Sequence, residues 1–185
     1  MKQTDKEQHY KNLIAEVQDF PAPGINFKDI SPLLASTKMF RLALYDMLQG
    51  HNNDLWAGIE SRGFLIASGL SGINGGGILM IRKPGKLPPP VIQQRYFLEY
   101  GTDTLQVKPN CTRVCENEEH KKSVVLVDDV LATGGTITAA YNLLVKGGYD
   151  VLGVAVLIDL LYLHSDDFNV GGHKVHSVIQ YKDVI

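Results

Sequence analysis

Residues 124–136 read VVLVDDVLATGGT, and nearly every position in that run has a chemical use. An apolar strand would deliver two adjacent carboxylates, Asp128 and Asp129. A turn of small residues, Ala132, Thr133, Gly134, Gly135 and Thr136, then opens a helix. Glycines let several backbone N–H groups converge on one anion, and the helix start adds its positive end. Thr133 and Thr136 add hydroxyl donors. Charge-assisted hydrogen bonds contribute about 1.5–3 kcal/mol each, against roughly 1 kcal/mol lost per glycine. Three or four such bonds therefore outweigh two glycines. The acids need donors, because an unpartnered buried carboxylate costs several kcal/mol, and ribose 2′- and 3′-hydroxyls are such donors. Together the turn and the acids compose a site for a phosphorylated sugar. A Walker A loop would need a Lys after Gly135, and a dinucleotide fingerprint would need G-x-G-x-x-G; neither is present. An ordinary strand–helix turn explains one capping Asp, but not two followed by TGGT.

Two further sets of residues fit an anion. Glu60-Ser61-Arg62-Gly63 follows the apolar run Leu55–Ile59, and Arg82, Lys83 and Lys86 flank Pro84-Gly85. Taken alone, the first reads as a surface turn and the second as a solvated charge run.

These residues need a scaffold. Thr4 to Glu7 forms a capping box, and Tyr10, Leu13, Ile14 and Val17 share one face, which predicts a helix ended by Pro21 and Pro23. Residues 19–32 read as an ordered, irregular loop. A second helix is expected over about Thr37–Gln49, with Phe40, Leu44, Met47 and Leu48 inward, and a buried helix over Phe64–Leu70, broken at Gly75–Gly77. Thr136–Lys146 reads as a helix closed by Gly147-Gly148. Strands are expected at Leu55–Ile59, Gly77–Ile81, Ser123–Val127, Val151–Ile158 and Val175–Tyr181, and a hairpin at Gln94–Tyr100 with Thr104–Val107. Apolar strands alternating with helices define an α/β fold, a Rossmann-like parallel sheet flanked by helices, with ligands at the carboxyl ends of the strands.

The 185 residues fit one domain. A hydrophobic fraction of 44% and a charged fraction of 21% exclude a disordered chain. No apolar run is long enough for a membrane span, and the polar first ten residues are no secretory signal. A net charge of −2 excludes a global attraction to nucleic acid or anionic lipid. Cys111 and Cys115, with His120 nearby, do not complete a zinc set and read as reduced thiols.

Asp128 to Thr136 resembles the 5-phosphoribosyl-1-pyrophosphate (PRPP) motif of the type I phosphoribosyltransferases. Four more blocks, in order, resemble the adenine phosphoribosyltransferase family: Phe20 to Pro32, Gly58 to Phe64, Arg82 to Pro88 and Leu98 to Leu105. The likeness covers about residues 19–160. It implies transfer of a phosphoribosyl group from PRPP to adenine, giving AMP and pyrophosphate, by a cytoplasmic homodimer. It implies a small N-terminal hood over about residues 1–34 and a mobile hairpin lid over about residues 83–107.

The resemblance also assigns roles. Asp128 and Asp129 hold the PRPP ribose, and Ala132 to Thr136 hold the 5′-phosphate. Glu60, Ser61 and Arg62, with Arg82, Lys83 and Lys86, meet the pyrophosphate, Arg82 reaching across the dimer. Phe27 stacks on adenine, the backbone of Asn26 and Lys28 pairs with its Watson–Crick edge, and Leu160 closes the other face. Plain core packing remains the alternative for Phe27 and Leu160. Glu99 is the candidate for proton transfer at the purine imidazole edge, and Tyr100 packs at the lid base. The alternatives are an edge-strand Glu and a core Tyr. A closed lid keeps water from an oxocarbenium-like state. Mg²⁺ is implied, bound mainly through PRPP oxygens, with no dedicated protein cage.

The chain departs from the family pattern at Pro89, where Gly is usual, at Gln93-Gln94-Arg95, at Asn26, and at Leu163 to Asp167, where Gly-Arg is common. Two rivals have sequence support to weigh. A 6-oxopurine enzyme would use a lysine to read O6, and Lys28 lies in the base block. A PRPP-sensing regulator would carry a DNA-binding domain or a basic RNA face, and this chain shows neither.

Overall fold

The computed structural model describes residues 3–48, 50–98, 101–109 and 122–183. Helix α1 (Gln3–Lys11) is followed by two short antiparallel strands, β1 (Ala15–Val17) and β2 (Phe27–Asp29). The predicted first helix is therefore too long. Tight turns from Tyr10 and Lys11 carbonyls to the N–H groups of Leu13 and Ile14 end it, and Glu16 pairs with Lys28 instead. Tyr10 and Ile14 are still buried, but Val17 is exposed. Nor is the 19–32 segment wholly irregular, since it contains β2 and opens α2 (Ser31–Ala35), where Pro32 suits the first helical turn. Helix α3 (Thr37–Met47) buries Ala43, Leu44 and Met47.

The main sheet begins with β3 (Leu55–Ile59), passes through α4 (Arg62–Asn74) and continues in β4 (Gly77–Ile81). A hairpin follows as β5 (Ile92–Leu98) and β6 (Gly101–Val107), with Leu98 opposite Gly101. Then come β7 (Ser123–Leu131), α5 (Gly135–Lys146), β8 (Asp150–Leu160), a 3-10 turn at Leu161–Leu163, the small pair β9 (Asn169–Val170) and β10 (His173–Lys174), and β11 (His176–Tyr181). Five strands form one parallel sheet in the order β11-β8-β7-β3-β4.

Alternating side chains build two cores. Ala57, Ile59, Val124, Leu126, Val154 and Val156 pack with α5 and the hairpin on one face. Trp56, Val125, Val127, Ala155 and Leu157 pack with α1, α3 and α4 on the other. This is the expected two-sided α/β layering. Strand β7 runs further than predicted, so Asp128 lies within it, opposite Val156. The first turn of α4 lies directly on β3, for a Cβ at Gly58 would come within 2.5 Å of the Gly63 carbonyl oxygen. Among the described residues no helix is long and apolar enough to cross a membrane.

Candidate active site

Two helices start at the same cavity. Helix α4 begins after Ser61 and α5 after Gly134, and neither has a side-chain cap. Their first-turn N–H groups thus retain donor capacity, and both positive helix ends point toward one space. Gly134 has φ +86°, the left-handed conformation that glycine adopts without penalty, which lets β7 turn sharply into α5. The cavity has a volume of about 360 Å³. Its wall brings together Glu60, Ser61, Arg62, Lys83, Asp128, Asp129 and the Ala132–Thr136 turn. The Glu60–Ser61 peptide is cis.

The two acids sit between the helix starts. Asp129 is 6% exposed, and its Oδ2 lies 3.0 Å from Arg62 Nε. The approach does not have hydrogen-bonding alignment: Asp129 Oδ2 and Arg62 Nη1 are both buried without a hydrogen-bond partner. Asp128 Oδ1 accepts from the Asp129 N–H at 2.9 Å and faces Gly63. Burial first, and then the neighbouring Asp129 charge, push the Asp128 carboxyl well above its usual range.

The cations are arranged around Glu60. Arg82 donates to both its carboxylate oxygens, at 3.3 and 3.1 Å, and the Lys83 N–H donates at 2.9 Å. Hydrogen bonding from Arg82 holds the Glu60 carboxyl below its usual range. Lys83 Nζ is paired with Asp103 of β6, and Lys86 accepts from Arg82 through its backbone carbonyl at 3.0 Å. Arg82 and Lys86 do not line the cavity; the Arg82 guanidinium serves Glu60 of its own chain.

The base block is placed less uniformly. Phe27 lies edge-on to Phe20 at 5.1 Å, and the Arg62 guanidinium stands 4.7 Å from its ring centre. Phe27 therefore adjoins the cavity through Arg62. Asn26 donates to Glu16 Oε2 at 3.0 Å. The Lys28 side chain turns away: its Nζ is 2.9 Å from Glu16 Oε1 and 4.2 Å from the Tyr181 ring centre. Leu160 is buried in the core on the α3–α4 side of the sheet and does not line the cavity. Glu99, Tyr100, Cys111, Cys115 and His120 lie outside the described residues.

Sequence reasoning missed Tyr96. Its hydroxyl accepts from Thr136 Oγ1 at 3.5 Å and donates to Asp103 Oδ2 at 3.4 Å, joining the β5–β6 hairpin to the Ala132–Thr136 turn. The signal was present: alternation in β5 turns Tyr96 toward the core. Among the described residues no three His, Cys, Asp or Glu side chains are placed to hold a metal ion.

This fold and this anion-binding edge define a class of protein. The chain belongs to the phosphoribosyl transferase family, whose domain matches residues 41–167. Within it the chain belongs with the adenine phosphoribosyltransferases. It is 43% identical to the adenine phosphoribosyltransferase of Bdellovibrio bacteriovorus over 92% of this chain and 98% of that protein. The crystal structure of adenine phosphoribosyltransferase from Rhodothermus marinus superposes with a TM-score of 0.83 at 35% identity, covering 96% of this chain and 99% of that one. The Saccharomyces cerevisiae enzyme, solved with D-2,5-dideoxy-2,5-imino-altritol 1,6-bisphosphate and adenine, matches at a TM-score of 0.78 and 28% identity, covering 95% and 99%.

Proposed function

We propose that this chain salvages purines by transferring the 5-phosphoribosyl group of PRPP to adenine, giving AMP and pyrophosphate. One observation carries the reading: two uncapped helix starts face one cavity, with an acid pair between them. A substrate with a phosphate at one end and a diphosphate at the other, joined by a diol, matches that arrangement. The Ala132–Thr136 turn takes the 5′-phosphate. Asp128 and Asp129 accept from the ribose hydroxyls. Ser61, Arg62 and Lys83 meet the diphosphate, which departs from C1′ with its bonding electrons as C1′ bonds to adenine N9. The N9 proton leaves, and Glu99 is the residue proposed to receive it. Tyr100 packs at the lid base.

Adenine stacks on Phe27. Its amino group donates to a backbone carbonyl and its N1 accepts a backbone N–H at Asn26 and Lys28. The Lys28 ammonium is occupied by Glu16 and the Tyr181 ring, which speaks against its reading a 6-oxo group. Mg²⁺ would be held mainly by the diphosphate and ribose oxygens of PRPP, the hard donors this ion prefers, with no need of a protein cage. When bound it neutralises charge on the departing diphosphate.

The enzyme acts as a homodimer. Ile78 and Met80 on edge strand β4 are 46% and 44% exposed, and Leu65 of α4 is 49% exposed, an apolar surface that suits a second copy. Dimer formation would bring Arg82 toward the partner's diphosphate. PRPP carries too much charge to cross a bilayer unaided, so the reading places the enzyme in the cytoplasm with its substrate.

The decisive assay follows product from PRPP, Mg²⁺ and adenine, hypoxanthine or guanine in turn. AMP formation with adenine strongly preferred is expected. Preference for hypoxanthine, or salt-sensitive nucleic-acid binding with no AMP formed, overturns the reading.

A further inference from the structure

We infer that the segment after β8, residues 161–172, is a strut that sets the phosphate turn, with His164 and Phe168 as its positioning residues. The inference rests on assigning Ala132–Thr136 to the 5′-phosphate.

The strut starts at Asp159. Parallel register places Asp159 opposite Leu131, the residue just before the phosphate turn. Its carboxylate is 5% exposed and needs donors. His164 Nε2 lies 2.7 Å from Oδ1, and Ser177 Oγ donates to Oδ2 at 3.4 Å. The other His164 nitrogen is 3.1 Å from the Ser165 carbonyl oxygen. The His164 ring packs at 5.0 Å against the Phe168 ring, tilted by 45°.

Phe168 in turn bears on the turn itself. A Cβ at Gly134 would sit 2.3 Å from Phe168 Cζ, so the phenyl ring rests against the Gly134 backbone. Gly134 is the residue before the first turn of α5, whose N–H groups must converge on the phosphate. The strut is also pinned further along: the Tyr141 ring of α5 abuts Gly171, its hydroxyl 3.5 Å from that carbonyl oxygen. A carboxylate at the sheet edge is thus linked through two rings to the anion-binding backbone. Convergent donors lose binding steeply when displaced, and a shift near an ångström costs up to about 100-fold.

The test compares His164→Leu, His164→Gln, Phe168→Ala and Phe168→Leu in the full-length enzyme. Calorimetry measures ribose 5-phosphate and pyrophosphate separately, and kinetics give kcat and KM for PRPP. Phe168→Ala and His164→Leu are expected to weaken ribose 5-phosphate by about tenfold or more, to raise KM for PRPP more than they lower kcat, and to spare pyrophosphate binding. His164→Gln, which keeps an N–H for Asp159, should restore most of the loss, and Phe168→Leu part of it. Equal loss of both ligands, or wild-type ribose 5-phosphate affinity in the Phe168 and His164→Leu variants, overturns the strut. Should Phe168→Ala not fold, the two His164 variants carry the same comparison. Thr133→Val separates the two claims. If it weakens ribose 5-phosphate while the strut variants do not, only the strut fails. If Thr133→Val also leaves binding intact, the phosphate assignment itself is wrong.

Discussion

Arg62 and Asp129 meet at the cavity wall at 3.0 Å without hydrogen-bond alignment, each keeping a buried polar atom unsatisfied. Such groups carry the full cost of desolvation until a partner arrives. A ribose hydroxyl would satisfy Asp129, and a diphosphate oxygen would satisfy Arg62. Asp129→Asn keeps the shape but replaces an acceptor oxygen with a donor. Its kcat/KM for PRPP is expected to fall by about 100- to 1,000-fold, the scale for losing one preorganised polar contact. Turnover within threefold of wild type would mean the sugar binds elsewhere.

Asp128 makes stability depend on pH in a particular direction. Its carboxyl is raised above the ordinary 3.8 by burial and by Asp129. A raised pKa means that the folded state holds the proton more tightly than the unfolded chain. The corresponding stability is complete below the ordinary value and is lost as pH rises through the raised one. Asp128→Asn removes that loss. The variant should therefore gain on wild type as pH climbs above about 4. Parallel melting-temperature curves for the two proteins across that range would contradict this.

Glu16 behaves oppositely. Hydrogen bonding from Asn26, and then the Lys28 ammonium, hold its carboxyl below the ordinary 4.5. Its contribution is present above that value and disappears as pH falls through the lowered one. Removing its charge strands Lys28, whose side chain is only 2% exposed. Glu16 itself is 31% exposed, so solvent screening cuts the cost of a buried pair to about 1–2 kcal/mol. Denaturant titration of Glu16→Gln should show that deficit near neutrality and a smaller one below about pH 4. A deficit that does not change with pH would mean packing, not charge, explains it.

The proposed dimer has its own test. Met80→Asp places a charge on the apolar face of β4 and should yield monomers at concentrations where the wild type sediments as a dimer. If Arg82 serves a neighbouring site, activity falls with dissociation. A monomeric, active wild type would remove the dimer from the scheme.

Much of the candidate site was legible because its signals are local. Apolar runs fixed β3 and β4 to the residue, and the DD-to-TGGT block announced its own strand, turn and helix. What stayed hidden depends on distant partners. Helix α1 stops early because Glu16 and its neighbours find β2, which no periodicity in residues 4–17 reveals. The Lys28 side chain turns toward Glu16 and toward the ring of Tyr181, near the other end of the chain. The 161–172 segment has no regular pattern, and its contacts are with Asp159 near the end of β8 and Gly134 at the start of α5.

The backbone-to-backbone contact between Gly58 and Gly63 bears on engineering. Replacing glycines is a standard route to hardier proteins, since it narrows the freedom of the denatured chain. At Gly58 that route is closed, because even one methyl would displace the helix that carries Arg62. Gly72, further along the same helix, is the opposite case: a methyl there meets nothing within 4 Å. Thermostabilisation should begin at Gly72→Ala, with about 1 kcal/mol available from helix preference and no disturbance of the working end.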